Sequence, residues 1–209
     1  MDSSRGVRVA VGCVLACCVA AVTPSYAQDG RRFELGGQLT TLRLSEFETT
    51  DVGVGVQAGW RLTPVVAVDG ALTWFPGGDD GGFPRIERQQ RMLGVVGLRA
   101  GVESGRMELF ARARPGFLRF AAEDNVPCIL IFPPPLSCQV LGGHTSFVTE
   151  LGGGVRLALD RDRRMFLSFD IGDLLVRYGR QSMRRNDEIS DDGFVSHNLV
   201  AGVGVGWRF

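Results

Sequence analysis

From Phe33 to the C-terminus, apolar residues recur at every second position in successive runs, and polar or glycine-rich stretches divide one run from the next. Side chains alternate faces along a β-strand, so a period of two predicts strands with one apolar face and one small or polar face. The run from Val52 to Leu62 is the cleanest. Val52, Val54, Val56, Ala58, Trp60 and Leu62 share one face, and Gly53, Gly55, Gln57, Gly59 and Arg61 share the other. The last run has the same design, with Val195, His197, Leu199, Ala201, Val203, Val205, Trp207 and Phe209 on the apolar side. Opposite them stand Ser196, Asn198, Val200, Gly202, Gly204, Gly206 and Arg208.

The same period predicts strands over 33–44, 65–75, 90–103, 106–121, 145–159 and 164–178. Thr63-Pro64 is a tight turn, Ser104-Gly105 another, and Asp160-Arg161-Asp162-Arg163 a third. Two places disturb the pattern. Pro115 removes a ladder donor, which predicts a bulge or kink at Pro115-Gly116. In 164–178 an unbroken phase would turn Asp173 and Arg177 toward the apolar side, so a bulge at Gly172-Asp173 is expected to restore Leu174, Val176 and Tyr178 to it. The count is then eight strands, with long connections after the first, third, fifth and seventh and short ones after the second, fourth and sixth. An even count with that asymmetry predicts an all-β fold, an eight-stranded antiparallel transmembrane up-and-down β-barrel with its short turns on the periplasmic side. A soluble barrel of lipocalin type is the competing architecture; it would stay soluble without detergent.

Composition and the N-terminus sharpen the picture. Residues 1–27 carry Arg5 and Arg8, an apolar run from Val9 to Val22, and small residues at Ser25 and Ala27. That pattern predicts a secretory signal peptide cleaved between Ala27 and Gln28, leaving 28–209 as one domain. An anchor helix and lipoprotein processing at Cys17 are the alternatives. All 23 basic residues are arginine and 23 acids balance them, so the footprint of a nucleic-acid binder is missing. After cleavage only Cys128 and Cys138 remain of the five cysteines, in an oxidising compartment and around a triple proline, and they are expected to form a disulfide. The segment between them is almost wholly apolar, which makes the loop 122–144 either a contact surface for protein or lipid or a flap over the barrel mouth.

From Arg31 onward the chain resembles the small bacterial outer-membrane barrel domain of the OmpA/OmpX type. The resemblance rests on Arg114-Pro115-Gly116-Phe117, on Asp170-Ile171-Gly172-Asp173 and on the terminal aromatic Phe209. It implies the cell outer membrane of a Gram-negative-type envelope, contact with outer-membrane lipid, and an assembly signal at Trp207 and Phe209 read by the barrel-assembly machinery. It names no single function, because this fold hosts many.

Facing inward, the alternation places Glu34, Asp69, Glu108, Glu150, Asp170 and Asp173 with Arg61, Arg99, Arg112, Arg114, Arg156, Arg177 and Arg208. A barrel of eight strands is only wide enough to be filled by its own side chains, so these charges are expected to satisfy one another as a plug rather than line a pore. His144, Ser146 and Glu150 fall on one face, and barrel enzymes that deacylate lipid A use a histidine and serine at that spacing, but those enzymes have asparagine where Phe147 stands. The reading is a monomeric, non-enzymatic outer-membrane barrel with no cofactor, no metal and no nucleic-acid partner, acting through its external loops. A narrow channel and a lipid A-modifying enzyme are the alternatives.

Overall fold

The computed structural model describes residues 32–77, 89–122, 143–178, 183–185, 188–190 and 194–209. The strands are β1 (Phe33–Leu44), β2 (Thr49–Arg61), β3 (Val66–Phe75), β4 (Arg91–Ser104), β5 (Met107–Phe120), β6 (His144–Ala158), β7 (Met165–Arg177), β8 (Met183–Arg185), β9 (Glu188–Ser190) and β10 (Val195–Arg208). Seven of them, β1 to β7, join β10 in a closed antiparallel barrel in which each strand lies beside its neighbours in the chain. Closure leaves no strand edge unpaired, which a two-faced sheet in hydrocarbon requires. The short strands β8 and β9 pair only with each other, as a hairpin in the connection between β7 and β10.

The register gives the strand tilt. Starting at Phe33, successive partners are Trp60, Val68, Leu98, Ala113, Leu151, Asp173, Leu199 and finally Arg43. One circuit thus returns to β1 ten residues further on, a shear of ten for eight strands. Each step between neighbours climbs about 1.25 residues along the barrel, and the strands tilt by roughly 35–45°.

At one end the turns are tight. Gly105 adopts φ +60° in the two-residue link between β4 and β5, a left-handed conformation that favours glycine. The Thr63 hydroxyl accepts from the Val66 amide at 2.9 Å, and the Asp160 carboxylate from the Met165 amide at 3.1 Å. At the other end the connections 76–90, 121–143 and 178–194 are long, but 45–48 is not. Thus the expected long loop after the first strand is a four-residue turn. The polar start of β2, Thr49-Thr50-Asp51, pairs fully with Leu42, Arg43 and Leu44, because ladder hydrogen bonds do not require the apolar alternation that begins at Val52.

Neither place holds a bulge, although the β4–β5 ladder is interrupted at Pro115. Around Pro115 the β4–β5 ladder is open opposite Val96 and Gly97, yet the pairs Val95–Gly116 and Leu98–Ala113 on either side keep one register. With β6, Pro115 pairs opposite Thr149 without a break. The missing amide is absorbed by two open positions instead of an inserted residue. Close approach helps, since a Cβ on Gly97 would stand 2.7 Å from the Arg114 Cα. In β7 the phase also runs unbroken, so Leu174 and Val176 point inward with no exposure at all, and Asp173 and Arg177 point outward. Tyr178, just past the strand, is buried as well.

Candidate functional site

The barrel wall sorts its side chains into two surfaces. Outward stand the odd positions of β1, β5, β6, β7 and β10 and the even positions of β2, β3 and most of β4, among them Leu39, Val54, Val56, Leu72, Val96, Leu98, Leu109, Leu151, Phe169 and Ile171. Val96 and Ile171 are each 58% exposed, which would be costly in water for so continuous a band. At the tight-turn end the band closes on aromatics. Phe33 lies 6.5 Å from the Trp60 ring and 6.1 Å from that of Phe209, with Trp207 on the same face.

The interior is layered. Nearest the tight turns, Glu34 is the hub of an ion-pair cluster. Its Oε1 accepts from Arg61 Nε at 2.9 Å and Arg208 Nε at 3.1 Å, and its Oε2 from Arg99 at 2.7 Å and Arg156 at 2.6 Å. Glu108 takes Arg61 at 2.8 Å and Arg208 at 2.6 Å, and Glu103 takes Arg61 at 2.8 Å. The rings of Phe110 and Phe166 lie between the guanidinium groups, with Arg156 5.3 Å from one centroid and 4.7 Å from the other. A second cluster stands above. Arg112 reaches Glu150 at 2.8 Å and Asp170 at 2.5 Å, while Arg114 reaches Glu150 at 2.7 Å and lies 3.6 Å from Asp69. The lower cluster sets four arginines against three glutamates and the upper sets two arginines against three carboxylates, so together they are neutral. Opposite charges interleaved this closely offset the cost of burying each one.

Above the charges, toward the long loops, the inward face turns apolar. Leu42, Leu44, Phe75, Leu93, Leu118, Phe120, Val148, Leu174, Val176, Tyr178 and Val200 form one cluster across the lumen. Burial raises the Tyr178 hydroxyl above the usual tyrosine range. One ion pair, Arg91 with Asp51, is set into this layer, with Arg91 5.5 Å from the Phe120 ring. Voids between the layers are small: that beside Glu34, Gln57 and Asp69 holds about 10 Å³, room for roughly one water.

Of the residues singled out from the sequence, Glu34, Asp69, Arg112, Arg114, Glu150, Arg156 and Asp170 meet in these two clusters. Arg177 does not. It points out of the barrel near the long loops, as does Asp173, because β7 keeps its phase to the end. A charge there costs little where the strand rises past the hydrocarbon. His144, Ser146 and Glu150 make no catalytic arrangement among the described residues. The Ser146 hydroxyl is buried with no hydrogen-bond partner, and both Glu150 oxygens are held by arginine. Ala27, Gln28, Cys128 and Cys138 lie outside the described residues. Residues that sequence reasoning overlooked include Glu103, Arg91 with Asp51, and the inward rings of Phe110 and Phe166. Strand parity was the available signal for all of them.

On the outer wall, His197 Nδ1 lies 2.6 Å from an Asp173 carboxylate oxygen, at the head of an open groove of about 330 Å³ walled by Ile171 and Leu199. Behind it, Asn198 turns inward and ties three elements together. Its Oδ1 accepts from the Ser45 amide at 2.9 Å, and its Nδ2 donates to the Leu174 carbonyl at 3.0 Å.

An apolar outer band, a polar paired interior and a closed sheet define a membrane-spanning β-barrel. The chain belongs to the outer membrane protein beta-barrel domain family, whose model matches residues 9–209. Its fold is similar to that of the N-terminal β-barrel domain of Pseudomonas aeruginosa OprF, with a TM-score of 0.53 at 12% identity over 84% of this chain and 97% of that one. It is likewise similar to Neisserial surface protein A, with a TM-score of 0.57 at 10% identity over 88% of this chain and all of that one. No curated protein sequence matches significantly. The protein is thus an outer-membrane barrel, with its tight turns toward the periplasm and its long connections outside.

Proposed function

We propose that this barrel is closed to ions and is not an enzyme, and that its role is carried by surfaces outside the lumen. The observation that supports this reading is the apolar layer Leu42, Phe75, Leu118, Phe120, Leu174 and Val176, stacked on paired charges with a water-sized void among them. A hydrated ion would have to shed most of its water to cross this layer, where the Arg91–Asp51 pair is buried and closed on itself, and a hydrophobic constriction of that kind blocks conduction by dewetting. The charge clusters then serve as a polar core: each arginine is spent on a carboxylate and none is left free along an axial path.

Planar-bilayer recording tests this directly. Purified protein should give no stepwise current at any moderate potential. Regular steps from the parent protein would favour the narrow-channel reading instead.

With the lumen closed, the long external connections carry the contacts. The apolar segment of the loop 122–144, stapled by Cys128 and Cys138, is the proposed contact surface for protein or lipid, and a thiol assay on protein purified from the membrane reads the staple. Residues 1–27 are proposed as the leader removed between Ala27 and Gln28, and Trp207 with Phe209 as the signal presented to the assembly machinery.

A further inference from the structure

Charged side chains are rare on the outward face of the strands, and their placement is not random. Among the described residues they are Arg43 on β1, Arg119 on β5, Asp173 and Arg177 on β7, and His197 on β10. All lie at the external end. The strands that carry them, β1, β10, β7 and β5, fall within one run around the barrel, β1–β10–β7–β6–β5, in which β6 itself presents no outward charge.

The register places the basic members at one height. Arg43 pairs with Leu199, two residues from His197; Arg177 pairs with Val195 on one side and Phe147 on the other; Arg119 pairs with Thr145. Corrected for the climb of about 1.25 residues per strand, Arg43, His197, Arg177 and Arg119 fall within about two residues of one level. Arg43 and Arg177 are two strands apart, and so are Arg177 and Arg119, a spacing of about 10 Å in each case. At the same level β2, β3 and β4 present Thr50, Trp74 and Met92, with no charge. The row is therefore a sector, not a ring.

Two further observations separate this sector from a solvated rim. Every arginine of the two lumen clusters is ion-paired, whereas Arg43, Arg119 and Arg177 have no carboxylate partner among the described residues. The outward carboxylate just below the row, Asp173, is turned to His197 at 2.6 Å. Directly below, the groove walled by Ile171 and Leu199 runs on toward the hydrocarbon. Unpaired guanidinium groups above an apolar groove are complementary to a molecule with anionic phosphate at its head and acyl chains beneath. Arginine binds phosphate oxygens in bidentate fashion.

We propose that the β1–β10–β7–β6–β5 sector of the outer wall is a binding site for a phosphate-bearing lipid of the outer leaflet, with Arg43, Arg177 and Arg119 on the phosphates and the Ile171–Leu199 groove along an acyl chain. The lipid, and not free phosphate, is the ligand, because the groove contributes apolar contact that an inorganic ion cannot use. The site is independent of whether the lumen conducts.

Native mass spectrometry of the detergent-folded protein tests it. The protein is titrated with lipid A carrying both phosphates, with the same lipid dephosphorylated, and with inorganic phosphate as competitor. The parent should retain the phosphorylated lipid at least tenfold more tightly than the dephosphorylated one, and millimolar phosphate should displace little of it. Arg43→Gln/Arg119→Gln/Arg177→Gln should remove that preference, while Thr50→Gln in the uncharged sector should leave it intact. Heat-modifiable gel migration checks that each variant is folded, and the comparison of the two lipids on the parent decides the matter even if the triple variant is not. Equal retention of both lipids by the parent, full displacement by inorganic phosphate, or an unchanged preference in a folded triple variant would each overturn the proposal.

Discussion

Glu34 shows how much one side chain can carry inside a narrow barrel. It accepts from four arginines on β2, β4, β6 and β10, so it ties β1 to strands that it does not touch by backbone pairing as well as to two that it does. Removing its charge leaves four buried guanidinium groups short of a partner. Breaking a buried pair on one side costs about 3–5 kcal/mol, more than the pair itself contributes. Glu34→Gln should therefore lower the unfolding free energy in urea by about that amount. Arg163, half-exposed and 3.9 Å from Glu103 at the rim, provides the contrast, and Arg163→Gln should change stability by less than about 1 kcal/mol. Equal effects from the two variants would mean that the Glu34 cluster is hydrated and not a core.

At the scale of one strand, β7 is instructive because its charges were misassigned. Asp173 and Arg177 on the apolar face look like an error to be repaired by a bulge, if the whole face is taken to meet hydrocarbon. The strand in fact keeps its period and changes its surroundings. Below Ile171 the outside is apolar and the inside polar, whereas above it the inside is apolar and the outside charged. Leu174→Ala should then open a cavity in the upper layer and cost about 2–5 kcal/mol. Arg177→Leu, outside, should stay within about 0.5 kcal/mol. Equilibrium unfolding of the two variants distinguishes the phases, and a reversed order would restore the bulge.

For the molecule as a whole, the aromatic cluster around Phe33 and the basic row at Arg43 bound the apolar band. They lie ten residues apart on β1, and at about 3.3 Å per residue along a tilted strand the separation is roughly 24 Å, close to the 25 Å band of outer-membrane barrels. A charge introduced along β10 should reveal this placement by its depth. Val203, paired with Leu39 and Phe169, lies midway, and Val203→Arg should cost about 2–4 kcal/mol on folding into lipid vesicles. Val195→Arg at the external end should cost about 1 kcal/mol or less. A flat profile along β10 would mean that the outer wall does not face lipid as placed.

Periodicity by itself determined the eight barrel strands, their faces except in the upper part of β7, the outer apolar band and most of the interior charges, because a strand's side-chain period is a local property that neighbours cannot alter. Glu34, Arg112, Glu150 and Arg156 were legible for that reason. Height was not legible. Whether an inward residue meets charge or an apolar layer, and whether an outward one meets hydrocarbon or the rim, depends on the shear of ten residues around the barrel. That shear is the sum of eight pairings between strands, and no single run of sequence contains it. The same limit explains the β1–β2 turn, whose length is set by how far the ladder zips beyond the last apolar pair. It also explains the basic sector, for Arg43, Arg119, Arg177 and His197 are scattered along the chain and become one row only when the barrel closes.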